Sequence, residues 1–284
     1  MDAVVRRFEI GEWDRRTTRV SGGLSNELWR VVTDTGTYAV KRMVAGADRP
    51  EFVTNIEASF AIERRAYLAG VPMPRFVPDP LTNCAVARIN GSFVRVHEWV
   101  AEVPGPVSAT EALSLLGCIH AAGRPRYGEI SSGGWRSDRW GAELAGLADL
   151  VAEQVPDQAL IVDSHRDLDR KNVLRTAVGA IAVDWDAAGA VRVAQEVVAV
   201  ALDWAGENAD TFRAAVDSYR TSTGLELPAE PWVFGGWVAS QGEWLDYNAD
   251  QRSDTELGRT EIGACLSRLR MLADSIHSWV AALR

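Results

Sequence analysis

Ten residues from His165 to Leu174, His-Arg-Asp-Leu-Asp-Arg-Lys-Asn-Val-Leu, constrain this chain more than any other segment. Apolar runs flank them: Leu160 to Val162 before, Val173-Leu174 and then Ile181 to Val183 after. These read as short strands that tether both ends of a polar loop. The last run ends on Asp184-Trp185-Asp186. A loop held this way predicts that Asp167, Asn172 and Asp184 converge on one edge. Asp and Asn are ordinary turn residues, so D-x-x-x-x-N alone says little. The longer string, joined to a downstream Asp that closes a β-rich run, is far more specific.

Those residue types in that order suit one chemistry. Phosphoryl transfer needs a carboxylate beside the attacking hydroxyl, and an amide and a second carboxylate that hold Mg²⁺ against nucleotide phosphates. The string follows the H-R-D-L-x-x-x-N pattern of kinase catalytic loops. An upstream block points the same way. Ser21-Gly22-Gly23-Leu24-Ser25-Asn26 is a small-residue turn between β-like segments, and Tyr38-Ala39-Val40-Lys41-Arg42 closes the next strand. Glycines let backbone approach phosphates closely, and an ammonium beyond them neutralises phosphate charge. Among 30 Lys and Arg residues the chain has only two lysines, Lys41 and Lys171, and both fall in the proposed site.

Such a lysine calls for a carboxylate on a neighbouring helix. Residues 51 to 69 have helical periodicity, with Ile56, Phe60, Glu63 and Tyr67 on one face, so Glu63 interrupts an apolar stripe. Burying an unpaired carboxylate is costly, and a Lys41 partner would remove that cost. Glu57 is the alternative partner, and a solvated Glu63 at the rim of the stripe is the plainer reading.

Taken together, S-G-G-L-S-N, A-V-K, Glu63, Ala69-Gly70-Val71-Pro72-Met73-Pro74, H-R-D-L-D-R-K-N-V-L and V-D-W-D-A-A-G resemble the aminoglycoside phosphotransferase and choline kinase group of small-molecule kinases. The resemblance spans most of the first 190 residues. It implies an α+β, bilobal protein-kinase-like fold: a small β-rich N-lobe (1–97) that binds nucleotide and a larger, mainly helical C-lobe (98–284) with the catalytic loop, metal site and acceptor pocket. It makes Lys41 the phosphate lysine, Glu63 its partner, Asp167 the catalytic carboxylate, and Asn172 and Asp184 the metal ligands. Ser21, Gly22, Gly23, Ser25 and Asn26 form the phosphate loop. Departures matter too. G-x-G-x-x-G and A-P-E are missing and D-W-D stands where protein kinases have D-F-G, which argues against protein substrates. The G-D-P-x-x-D-L pattern frequent in the antibiotic kinases is replaced by Val193-Ala194-Gln195-Glu196-Val197, where Glu196 stands in for the usual acid as a structural cap.

The lobe boundary is expected near His97-Glu98-Trp99-Val100, where the run Phe93 to Val96 meets Pro104-Gly105-Pro106. In kinase-like folds this hinge meets adenine through main-chain groups, which makes Glu98 and Val100 candidates. Ser108-Ala109-Thr110-Glu111 is a capping-box pattern opening a helix with Ala112, Leu115, Leu116 and Ile119 on its apolar face and His120 packed structurally upon it. At 284 residues, 47% hydrophobic, the chain can bury a large core. It has no run of about twenty apolar residues and opens without a signal-like apolar core, and its three cysteines are scattered. These features point to a cytoplasmic protein with no membrane partner.

Charge bears on the acceptor. Residues 1–100 hold 14 basic against 12 acidic residues, a net of +2; residues 101–284 hold 16 against 27, a net of −11, together giving the −9 of the whole chain. Such a field repels nucleic acid and attracts cations. Acids and tryptophans interleave from Asp203 to Glu256, and Asp203, Glu207, Trp244, Asp246 and Asp250 are the acceptor candidates. The reading is an ATP- and Mg²⁺-dependent O-phosphotransferase, GTP being the alternative donor, acting as monomer or homodimer on a small cationic hydroxyl compound. Basic antibiotics, aminoglycosides or cyclic peptides of the capreomycin and viomycin type, come first. A metabolic kinase for choline, an amino sugar or homoserine is the alternative, and a catalytically silent nucleotide-binding regulator is the third.

Overall fold

The computed structural model describes residues 1–20, 26–129, 134–136 and 138–284. The chain begins with α1 (Asp2–Phe8), β1 (Trp13–Val20), β2 (Asn26–Thr33), β3 (Thr37–Met43), α2 (Phe52–Leu68), β4 (Phe76–Val77), β5 (Ala87–Ile89) and β6 (Ser92–Glu98). It continues through α3 (Ala109–Ala122), β7 (Arg126–Gly128), α4 (Ala142–Ala152), β8 (Ala159–Ser164), β9 (Val173–Thr176), β10 (Gly179–Ala182) and β11 (Gly189–Arg192). The remainder is helical: α5 (Val193–Ala205), α6 (Ala209–Thr223), α7 (Gly235–Gln251) and α8 (Glu256–Ala282). Two compact units result, one of Met1–Val107 with Ser164–Gly189, the other of Ser108–Asp163 with Ala190–Arg284. The catalytic string, far along the sequence, thus packs within the first unit.

In the first unit a six-stranded antiparallel sheet runs β1-β2-β3-β6-β4, with β5 also on β6. Strand alternation sorts its residues. Val31, Val40, Val94 and Val96 join Val4, Val5 and Phe8 of α1 in one core, where Val31, Val40 and Val96 are at most 1% exposed. Each such burial stabilises by roughly 1.5–3 kcal/mol. The neighbouring position in β3 is Lys41, which shares its face with Met43, and Met43 packs with Phe52, Ile56 and Phe60 of α2. Phe60 meets Phe76 edge to face, ring centres 5.0 Å apart. The expected α2 stripe is present: Ile56, Phe60 and Glu63 are buried, and Tyr67 lies edge-on to Phe76. Strands β9 and β10 pair as a hairpin, Val173 opposite Ala182, with Gly179 at φ +119° in its turn.

In the second unit, α3 opens on the anticipated capping box: Ser108 Oγ accepts from the Glu111 N–H, and the Glu111 carboxylate accepts from the Ser108 N–H. Helix α3 packs on α6 through Gly117, where a Cβ would come within 2.2 Å of Ser222 Oγ. His120 is buried between Tyr219 Oη (2.8 Å) and the Glu196 carboxylate (2.7 Å). Glu196 therefore satisfies a buried histidine from the first turn of α5. Strand β8 lies between β7 and β11, and α7 and α8 form a hairpin. Among the described residues no helix is long and apolar enough to cross a membrane.

Candidate active site

Every described residue of the proposed catalytic and nucleotide set lies in the first unit. Asp167 and Asn172 meet across their loop: both amide protons of Asn172 go to Asp167, one to its carbonyl (2.8 Å) and one to its carboxylate (2.9 Å). That orientation leaves the Asn172 Oδ1 as a donor atom for a cation. The Val183 N–H donates to the Asn172 carbonyl at 2.9 Å, which brings the residue before Asp184 against the same loop. His165 locks the arrangement from beneath. Its Nδ1 accepts from the Asp167 N–H (3.3 Å) and its Nε2–H donates to the Val183 carbonyl (2.9 Å), as a neutral imidazole does. Its ring sits edge-on to the buried Trp185.

Arg166 and Asp184 have left-handed backbone, φ 65° and φ 64°. For residues with a Cβ this costs roughly 1–3 kcal/mol each and persists where the surroundings over-determine it. The His165 clamp and the Trp185 anchor do so here. The Asp167 carboxyl is pushed above the usual carboxylate range by burial, against the opposing pull of Lys171. A raised pKa brings it closer to the range of a useful proton acceptor. Lys171 itself lies 2.7 Å from Asp169 and 3.8 Å from Asp167.

Lys41 reaches Asp184 at 2.6 Å and Asp186 at 2.9 Å. Burial works against its ammonium, yet the two carboxylates outweigh burial and leave its pKa raised. The Lys41–Glu63 pair expected from sequence is not formed, and this is a correction. Both Glu63 oxygens are already taken, one by the Arg95 guanidinium and one by His97 Nε2 at 2.9 Å. Glu63 is fully buried, and Arg95 and His97 overcome that burial and hold its pKa low. Glu57 is not the lysine's partner either: it caps the Ala85 N–H at 2.8 Å.

Arg95 is the residue sequence reasoning missed. It is 1% exposed and pairs with Asp186 as well as Glu63. A signal existed: Arg95 and His97 alternate with Val94 and Val96 in a strand that otherwise reads as apolar, and a buried charge in such a strand requires a buried counter-charge.

At the hinge the Glu98 N–H donates to the Arg75 carbonyl and the Trp99 N–H to Thr37, while the Val100 N–H donates to no described residue. Asn26 Oδ1 accepts from the Val44 N–H at 3.0 Å, so its side chain ties β2 to the end of β3. Ser21, Gly22, Gly23 and Ser25 lie outside the described residues.

The acceptor candidates all belong to the second unit, and indole N–H groups bond two of their four carboxylates. Asp203 accepts from Trp237 (2.7 Å), and Trp244 donates to Glu261 (2.9 Å) and stacks on Tyr247. Asp246 accepts from both Trp135 and Trp140 at 2.8 Å and pairs with Arg139, which also holds Asp250. Gly242 allows this packing, since a Cβ there would come within 2.0 Å of the Trp135 ring. Glu207 is exposed between α5 and α6.

Among the described residues no three His, Cys, Asp or Glu side chains cluster as a metal site. Mg²⁺ does not require one: it retains waters and substrate phosphates and takes one or two protein oxygens, which the Asn172 and Asp184 side chains can supply.

Antiparallel sheet, helical second unit and this loop constellation define a kinase-like phosphotransferase. The chain belongs to the phosphotransferase enzyme family, whose model matches residues 16–230. No curated protein matches it by sequence. Among solved structures it superposes on an amicoumacin kinase in complex with AMP-PNP and Ca²⁺ with a TM-score of 0.67 at 12% identity, over 94% of this chain and 92% of that one. A microcompartment-associated aminopropanol kinase gives 0.66 at 16% identity, over 99% and 98%. A choline/ethanolamine kinase family protein from Mesorhizobium loti gives 0.62 at 17% identity, over 100% and 99%. At identities this low the superpositions establish the shared fold alone.

Proposed function

We propose that this protein transfers the γ-phosphoryl group of ATP, with GTP as the alternative donor, to a hydroxyl of a small cationic molecule. The observation that carries the reading is the constellation within one unit: Asp167 bonded to Asn172, Asp184 one residue beyond the strand-like contact to Asn172, and Lys41 at 2.6 Å from Asp184. In this reading Asp167 orients the acceptor hydroxyl and receives its proton. Lys41 steadies the donor phosphates, the backbone at Glu98 and Val100 receives the base, and Ser21, Gly22, Gly23, Ser25 and Asn26 border the phosphates. Asn172 and Asp184 would hold Mg²⁺, which when bound neutralises charge on the phosphate oxygens. Residues 1–97 serve nucleotide binding and 98–284 the catalytic loop, metal site and acceptor. Retention of all four polar groups argues against a silent regulator, which needs none of them together.

A basic antibiotic is the first choice of acceptor, supported by the net charge of residues 101–284, with Asp203, Glu207, Trp244, Asp246 and Asp250 as its candidate contacts; phosphorylation there would confer resistance in the cytoplasm. A small alkanolamine or related metabolite is the second reading. Its support is that Asp246 is already occupied by two indoles and a guanidinium, which removes part of the acid surplus from a polycation. The test is nucleotide consumption across a panel of aminoglycosides, basic cyclic peptides, choline, aminopropanol and homoserine, with Asp167→Asn and Asp184→Ala as controls. At least one hydroxyl acceptor should stimulate turnover, and both variants should lose it by on the order of 10²–10⁴-fold while melting like wild type. Turnover within about tenfold of wild type in either variant removes that residue's role.

A further inference from the structure

In the register of β3 against β6, Lys41 stands directly opposite Arg95, so two cations face each other across an antiparallel pair. Like charges in that position repel and need an anion between them. Glu63 cannot serve both, because Arg95 and His97 occupy its two oxygens. Asp186 does: one oxygen lies on Arg95 and the other 2.9 Å from Lys41. It is itself held in place, since its backbone carbonyl accepts from Ser59 Oγ of α2 at 3.0 Å. The chain of contacts runs Lys41, Asp186, Arg95, Glu63, His97. Lys41 has a second carboxylate in Asp184, but that residue is the proposed metal ligand. Asp186 is the partner with no other assigned task.

We infer that Asp186, the second acid of the Asp184-Trp185-Asp186 motif, is the positioning residue of the phosphate lysine in this protein, with Arg95 and Glu63 standing behind it instead of touching Lys41. The inference rests on the proposed role of Lys41 in nucleotide binding. Asp186 acts through Lys41: it aims the ammonium at the space the phosphates take and keeps the lysine and Arg95 compatible as neighbours. Glu63, one ion pair further back, supports Asp186 through Arg95. A change at Asp186 should therefore reach the nucleotide only while Lys41 is present.

The test is a double-mutant cycle read by calorimetric titration of AMP-PNP with Mg²⁺ into wild type, Lys41→Met, Asp186→Asn and the double variant. Asp186→Asn is expected to weaken nucleotide binding about tenfold in the wild-type background and to change it less than twofold in the Lys41→Met background. An Asp186→Asn variant that binds like wild type overturns the inference. So does a loss of equal size in both backgrounds, because Asp186 would then act on nucleotide, metal or fold without Lys41. Should Asp186→Asn lose cooperative melting, Asp186→Glu carries the same cycle, retaining the charge for Arg95 while displacing the carboxylate from Lys41, and the same non-additivity is required. Wild type that binds no nucleotide overturns the kinase reading and this inference together. Wild type that binds, with Lys41→Met weakened and Asp186→Asn unaffected, overturns this inference alone.

Discussion

The two units meet their site-candidate carboxylates with different partners. In the first, buried Glu63 pairs with Arg95 and His97, and Asp186 pairs with Arg95 and Lys41. In the second, Asp203, Asp246 and Glu261 accept hydrogen bonds from Trp237, Trp135, Trp140 and Trp244. An indole N–H is a neutral donor and does not offset a carboxylate's charge; at Asp246 Arg139 does so beside the two indoles. A guanidinium or ammonium neutralises the charge and permits burial. A count of acids predicts the field around a unit, whereas the partner of each acid decides whether it is part of a site, a brace or a surface.

The largest effect is expected at Glu63. Glu63→Gln leaves Arg95 buried with one carboxylate where it had two, and removing one member of a buried pair costs about 3–5 kcal/mol. Denaturant unfolding should show a loss of that order. Asp246→Asn, on the same assay, should cost only about 1–2 kcal/mol, because Asn retains one acceptor for an indole and the site is part-exposed. Equal costs at the two positions would erase the distinction drawn between the units.

Acid acts on the same buried carboxylates. Glu63 and Asp186 both have folded-state pKa values held below the ordinary carboxylate range, by Arg95 and His97 in the first case and by Lys41 and Arg95 in the second, despite burial. A group depressed on folding adds stability that is complete above its unfolded pKa, about 4, and disappears as pH falls through its folded value. Unfolding free energy should therefore decline steadily with acidification below about pH 4–5, and Glu63→Gln should make that decline shallower. A variant with an undiminished acid limb would assign the effect elsewhere.

The smallest effects are expected at the rim of the second unit. Asp250 is half-exposed and meets Arg139 alone among the ion pairs described, so Asp250→Asn should shift stability by no more than about 1 kcal/mol. If the net −11 attracts a cationic acceptor, that acceptor's Michaelis constant should rise with ionic strength over the range that shortens the screening length below about 10 Å. A salt-independent constant, with efficient use of a neutral hydroxyl compound, would make the acid surface a solvation feature.

Local chemistry carried the signals that were readable one segment at a time. The His165 to Leu174 string announced a clamped loop because His165, Asp167 and Asn172 bond to one another and to the adjoining Val183. The capping box at Ser108 and the buried face of α2, Glu63 included, follow from spacing on a helix alone. Sequence could say that Glu63 needs a cation, since a buried carboxylate in a 3.6-residue stripe must find one. Which cation it finds depends on how the chain folds. Arg95 comes from a strand 32 residues away and Asp186 from a turn 91 residues beyond that, and no periodicity links them. The same limit applies to the tryptophans: interleaving with acids was visible, but whether each carboxylate faces an indole, a guanidinium or solvent depends on which helices pack together. Pairing of charges is settled by competition among all groups within reach, and that reach is fixed only once the chain has folded.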